Sequence, residues 1–133
     1  MEALNRVQPH LLSVLRIMVG LLFMQHGLSK LFGFPTGAGF PAFLSLTWFE
    51  GCIEMVTGGL IAIGLFTRYA AFIASGEMAI GYFAVHAPKS FYPYVNGGNL
   101  AILYCFVFFY LVFAGSGPIS LDALLRKHKG SSA

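Results

Sequence analysis

Residues 11–34 read LLSVLRIMVGLLFMQHGLSKLFGF, an apolar run interrupted by Arg16, Gln25, His26 and Lys30. At 1.5 Å rise per residue a helix over this stretch is about 36 Å long, enough to cross a hydrocarbon core of about 30 Å. A cleaved secretory leader is the rival reading, because Arg6 precedes the run. The apolar region of a leader spans about 7–15 residues and closes on a small-residue cleavage site. Arg16 interrupts the run here and Met24-Gln25-His26 offers no such site, so the stretch predicts a retained first helix over about 11–33.

The rest of the chain has the same character. Of its 133 residues 57% are hydrophobic and 10% charged, and the mean hydropathy is +0.76. A soluble domain carries about 25% charged residues, so this chain has too few to cover its own surface. That composition excludes an ordinary cytosolic globule, a nucleic-acid binder and a disordered chain. Gly33 to Pro41 holds three glycines and two prolines, a density that breaks a helix and marks an outer loop. Further helices are predicted over 46–66, 69–87 (stopped by Pro88) and 95–115, the last without any charge. The predicted fold is an all-α, polytopic transmembrane four-helix bundle in one domain. It ends in a tail over 118–133 that opens on a cap at Ser120-Leu121-Asp122. With four spans, Arg6, Arg68, Arg126, Lys127 and Lys129 share one side, while Lys89, and Lys30 near a helix end, fall on the other. The positive-inside rule then places both termini in the cytoplasm of a cell bounded by an inner membrane.

Ionisable residues inside the spans are the informative ones, since each costs about 2.5–3.5 kcal/mol at mid-helix unless partnered or wetted. Depth in the bilayer follows from about 1.5 Å of rise per residue above the expected inner helix ends at Leu11, Phe66, Tyr69 and Gly115. On that scale Glu54 lies about 18 Å up, Tyr82 about 20 Å, His26 about 22 Å and Glu50 about 24 Å. Asn99 lies at about 24 Å, His86 at about 25 Å and Lys30 at about 28 Å. His26/Lys30, Glu50/Glu54 and Tyr82/His86 are four apart and Asn96/Asn99 three apart, so each pair shares a helix face. These spacings predict one polar pocket, opening outward. Two carboxylates one turn apart repel unless a cation intervenes, and His26 and Lys30 lie at matching depth. A proton-handling or anion-binding pocket and a purely structural network both fit that pattern. Lower down, Arg16 at about 8 Å and Glu77 at about 12 Å are expected to form a structural ion pair between the first and third helices. Lys30 snorkelling to head groups and His86 capping its helix are the bland alternatives.

Cys52 and Cys105 lie at different depths, and Cys52 points away from the Glu50/Glu54 face, so no disulfide is expected. No metal-ligand spacing appears, and two histidines on separate helices are weak ground for haem. Gly20, Gly27, Gly58, Gly59, Gly76 and Gly81 are expected to allow close helix packing.

Several short motifs, in order, carry a resemblance. Leu15-Arg16-Ile17 with Gly20, Gln25-His26-Gly27 and Lys30-Leu31-Phe32-Gly33 resemble the opening helix of the DoxX family of small four-helix membrane proteins. The likeness continues through Glu54, Gly58-Gly59-Leu60 and Gly64-Leu65-Phe66-Thr67-Arg68-Tyr69-Ala70-Ala71. It closes with Asn96-Gly97-Gly98-Asn99 and Gly115-Ser116-Gly117-Pro118-Ile119-Ser120-Leu121-Asp122. The resemblance implies a bacterial cytoplasmic-membrane protein. It suggests redox work at the quinone pool, because the family takes its name from a subunit of a thiosulfate:quinone oxidoreductase.

The leading expectation is therefore a membrane subunit of a quinone-linked oxidoreductase, with a quinone as the cofactor. A quinone needs an apolar slot with a few polar groups. Glu54, Glu50 and His26 would handle protons, while Lys30, Tyr82, His86, Asn96 and Asn99 would bind and orient. No flavin, Fe–S or haem motif is present in the sequence, so electron transfer requires a soluble or membrane oxidoreductase partner or direct substrate–quinone chemistry. A carrier for a small anionic or protonatable molecule, a scaffold recruiting a soluble redox enzyme through the basic tail, and an assembly of identical chains in the bilayer stay open.

Overall fold

The computed structural model describes residues 1–35 and 40–131. The centre of the expected glycine-rich loop, 36–39, and the last two residues of the tail lie outside the described residues. Six helices follow in order: α1 Glu2–Phe32, α2 Leu46–Ile63, α3 Thr67–Gly81, α4 Pro93–Asn96, α5 Asn99–Ala114 and α6 Leu121–Ser131. A π-helical turn, Tyr82–His86, continues α3.

Local chemistry accounts for the departures from the expected boundaries. The first helix begins at Glu2 rather than near residue 11, because its polar first turns remain helical in the exposed segment before the apolar run. α2 stops three residues early, where Gly64 N–H turns back to donate to Leu60 O. The expected helix over 95–115 is broken. Gly97 takes a φ of +75°, and Gly98 N–H donates to Asn96 Oδ1 at 2.8 Å, which separates the short α4 from α5. Beyond α3, Ala87 N–H donates to Tyr82 O at 2.9 Å, the i→i+5 bond of a π turn.

Two helix pairs make the bundle. α1 and α2 approach until backbone meets backbone: a Cβ on Gly20 would lie 2.5 Å from Ala62 N, and one on Gly58 2.6 Å from Met24 N. Small residues allow this where no hydrophobic effect drives helices together in lipid. Gly76 and Gly81 have open space instead, so the packing role expected of them is not theirs. α3 packs on α5 through Ala70, Ala71 and Ala74, and Ser75 Oγ donates to Cys105 O at 2.8 Å. The pairs meet along α2 and α3, and Phe23, Ile61, Tyr104 and Phe108 fill the centre. Outside, Met18, Phe72, Phe83, Phe106 and Phe113 stand exposed, an apolar surface suited to lipid rather than water. α1 and α2 are long and apolar enough to cross a membrane, and α5 is apolar but shorter.

One end of the bundle is tied by a polar latch. Arg16, 1% exposed, donates through Nη1 to Ser116 O and through Nη2 to Ile119 O at 2.7 Å. Ile119 N–H donates to Ser13 Oγ at 3.1 Å. Asp122 accepts from Phe66 N–H at 2.9 Å and Thr67 N–H at 3.0 Å, capping α3 from a distant part of the chain. Arg68 donates to the carbonyls of Val112 and Phe113 at 2.8 and 2.6 Å, closing the last turn of α5.

Candidate functional site

The expected pair of Arg16 with Glu77 does not form. Arg16 is spent on the carbonyls of the latch, and both oxygens of Glu77 are buried without a hydrogen-bond partner. The misplacement comes from the origin of the depth scale. The latch end of the bundle is level with Arg16, not Leu11, since Arg16 reaches Ala62 O at 3.5 Å and crowds Gly64. Counted from Arg16, Gly64 and Thr67, residues His26, Glu54 and Glu77 all fall about 15 Å up, and Lys30 and Glu50 about 21 Å. Glu77 therefore belongs with the outer carboxylates.

The glycine interlock of α1 and α2 brings Lys30 onto the Glu50/Glu54 face. Its Nζ lies 2.8 Å from Glu54 Oε1 and 3.2 Å from Glu50 Oε2. Lys30 is thus an ion-pair partner rather than a snorkelling side chain. Glu54 is 2% exposed, and its second oxygen has no partner. Three carboxylates face one ammonium. Two cavities adjoin the cluster. One, of about 210 Å³, is walled by Lys30, Glu50, Glu54, Glu77, Gly81 and His86. The other, of about 240 Å³, lies between α1 and α5 and is walled by Phe23, His26, Glu54, Met78, His86, Leu100 and Tyr104. Glu54, Met78, His86 and Ala101 line both.

Each histidine is oriented by a backbone carbonyl. His26 Nδ1 lies 2.9 Å from Leu22 O and His86 Nδ1 lies 3.0 Å from Asn96 O, so each Nδ1–H donates to a carbonyl. His26 is exposed, at the mouth, with its ring edge-on to Tyr104 at 5.7 Å. The remaining expected binding residues act otherwise. Asn96 is 3% exposed and saturated: its Nδ2 donates to Tyr82 Oη at 3.1 Å and to Ser90 O at 2.9 Å. It holds the α4–α5 break and, through its own carbonyl, His86. Tyr82 stacks on His86 with ring centres 6.2 Å apart and lines neither polar cavity. Asn99 is exposed at the start of α5 and lines no wall of either, because the break at Gly97 turns it outward. Cys52 and Cys105 are free thiols.

Sequence reasoning missed the apolar walls, Phe23, Met78 and Tyr104. Tyr104 sits in an uninterrupted apolar run with no spacing signal to separate it from lipid-facing neighbours. Among the described residues no cluster of three or more His, Cys, Asp or Glu side chains is arranged to hold a metal ion.

These features define a small all-helical membrane protein with a carboxylate-rich cavity between its helices. The DoxX family model matches residues 11–87, and the chain belongs to that family. It is 42% identical over 128 residues to an uncharacterized protein of Haemophilus influenzae, covering 92% of this chain and 96% of that one. It is 29% identical over 122 residues to a Bacillus subtilis protein named "Putative oxidoreductase CatD", covering 87% of each. No solved structure matches the chain.

Proposed function

We propose that the chain is the membrane subunit of a quinone-linked oxidoreductase, and that the cavity between α1 and α5 receives the ring of a quinol. The observation that carries this reading is the set of buried carboxylate oxygens without donors at the two adjoining cavities: Glu54 Oε2, whose residue borders both, and both oxygens of Glu77, which lines the second. Buried acceptors without donors are costly, and a ligand bearing hydroxyl hydrogens relieves that cost. About 240 Å³ equals the share of about eight waters at ~30 Å³ each, the scale of a single ring with its oxygens. Phe23, Leu100 and Tyr104 give the apolar wall such a ring needs. The name of the Bacillus subtilis relative supports redox work.

A bound quinol supplies two hydroxyl protons and two electrons. Glu54 and His86, which line the cavity, accept the hydroxyl hydrogens in this reading, and Lys30, 2.8 Å from Glu54, holds it in position. Glu77 takes protons onward, and the electrons leave through a partner oxidoreductase subunit. The excess of carboxylates over ammonium argues against an anionic ligand, which leaves a carrier for a neutral or cationic protonatable molecule as the second reading.

The test is binding of a short-tailed quinol to the protein in nanodiscs. Wild type is expected to bind, Glu54→Gln to weaken binding about tenfold or more, and Lys89→Gln to leave it unchanged. No binding by wild type, or full binding by Glu54→Gln, ends the quinol reading.

The proposal includes four spans, with α3 plus its π turn as the third and α5 as the fourth, both termini lying in the cytoplasm. Reporter fusions should report Lys89 outside and the end of the chain inside. A common side for both positions rejects that topology.

A further inference from the structure

At the latch end, the turn between α2 and α3 and the underside of α6 enclose a concavity of about 300 Å³. Asp122, Leu125, Arg126 and Lys129 sit at i, i+3, i+4 and i+7 of α6, so one face of that helix is turned to Arg68 across the gap. The start of α6 is fixed, because Asp122 N–H donates to Gly64 O at 2.8 Å while its carboxylate holds two backbone N–H groups of the turn. Arg68 is fixed as well, by its bonds to Val112 and Phe113. Among the described residues lining the concavity, Arg68, Arg126 and Lys129 are cationic and Asp122, already engaged, is the carboxylate. Around it Phe66, Tyr69, Leu121 and Leu124 are exposed, an apolar collar beside a basic hollow.

We propose that this concavity binds the phosphate head group of an anionic phospholipid, with α6 lying along the membrane surface. Guanidinium and ammonium groups recognise a phosphate diester, and basic hollows at the ends of spanning helices are suited to anionic head groups. A zwitterionic lipid carries its own ammonium into the same cationic hollow and binds less well. Free phosphate satisfies the cations but leaves the collar uncovered, whereas acyl chains cover it. The amphipathic pattern of α6, leucines at 121, 124 and 125 beside Arg126, Lys127 and Lys129, is that of a helix resting at the head-group level. The inference rests on the bundle spanning a bilayer, and not on the quinol reading or on which end faces the cytoplasm.

The experiment uses the full chain in nanodiscs made from equal parts phosphatidylglycerol and phosphatidylcholine, with retained lipid counted by native mass spectrometry. Wild type is expected to retain phosphatidylglycerol about tenfold over phosphatidylcholine. Arg126→Gln and Lys129→Gln should each reduce that preference about fivefold with unchanged thermal unfolding. Lys127→Gln, the same charge change on the same helix but off the hollow, should change it less than twofold. Equal retention of the two lipids by wild type overturns the proposal, as does an undiminished preference in both Arg126→Gln and Lys129→Gln. An equal loss in Lys127→Gln reduces the site to diffuse charge. Displacement of the lipid by millimolar inorganic phosphate shows a free-phosphate site instead. Symmetric leaflets make the result independent of orientation.

Discussion

The two polar regions of this bundle use similar residues to opposite ends. At the latch, Arg16 gives both terminal nitrogens to carbonyls, Asp122 gives both oxygens to backbone N–H groups, and Arg68 closes α5. About 15 Å further up, Lys30 bridges Glu50 and Glu54 while Glu77 stands unpaired beside them, and three oxygens of Glu54 and Glu77 have no hydrogen-bond partner. At the latch Arg16 Nε keeps no partner, but a buried charge whose other bonds are made within the chain has little left to offer a ligand. A buried charge with unmade bonds is costly to the fold and is retained where something else completes it. The contrast separates charges that the fold has used from those it has not better than depth or residue type does.

That contrast breaks most sharply at Arg16. Arg16→Met removes two charge-assisted bonds at about 1.5–3 kcal/mol each, so a loss of about 3–6 kcal/mol is expected. Denaturant unfolding in micelles measures it, and a loss below about 1 kcal/mol would mean that the latch does not hold the bundle. Asp122→Ala removes the cap on α3 and is expected to cost about 0.5–2 kcal/mol by the same measurement. Its effect should be smaller than that of Arg16→Met, because Asp122 is only partly buried.

At the outer cluster the sign changes. Glu77→Gln keeps the shape and removes a charge with no hydrogen-bond partner, so unfolding should shift by less than about 1 kcal/mol, or toward greater stability. Quinol binding in nanodiscs should nevertheless weaken. If Glu77→Gln destabilises the protein as much as Arg16→Met, the two regions do not differ in kind.

Much of this was legible in the sequence, for identifiable reasons. Pro88 and Gly115 delimit helices by local chemistry. The Glu50/Glu54 spacing places two carboxylates on one face whatever surrounds it, and Lys30 Nζ lies within 3.2 Å of both. The pairing of Arg16 with Glu77 was not legible. It depended on where the inner edge of the bundle lies, and α1 continues well below that edge. The outward turn of Asn99 was hidden in the same way, since a polar residue three places after Asn96 looks cofacial until Gly97 breaks the helix.

By itself, then, the sequence determined the all-helical class, the membrane as its solvent and the carboxylates that do not belong in lipid. Composition and periodicity are properties of the chain and need no partner to be read. Only the tertiary structure decided which charges are spent and which remain. Arg16 meets Ser116 and Ile119 about a hundred residues away, and Lys30 reaches Glu54 across the helix interface that the Gly20 and Gly58 contacts permit. Whether a polar atom has a partner depends on a distance between helices, and no spacing along one helix contains that distance.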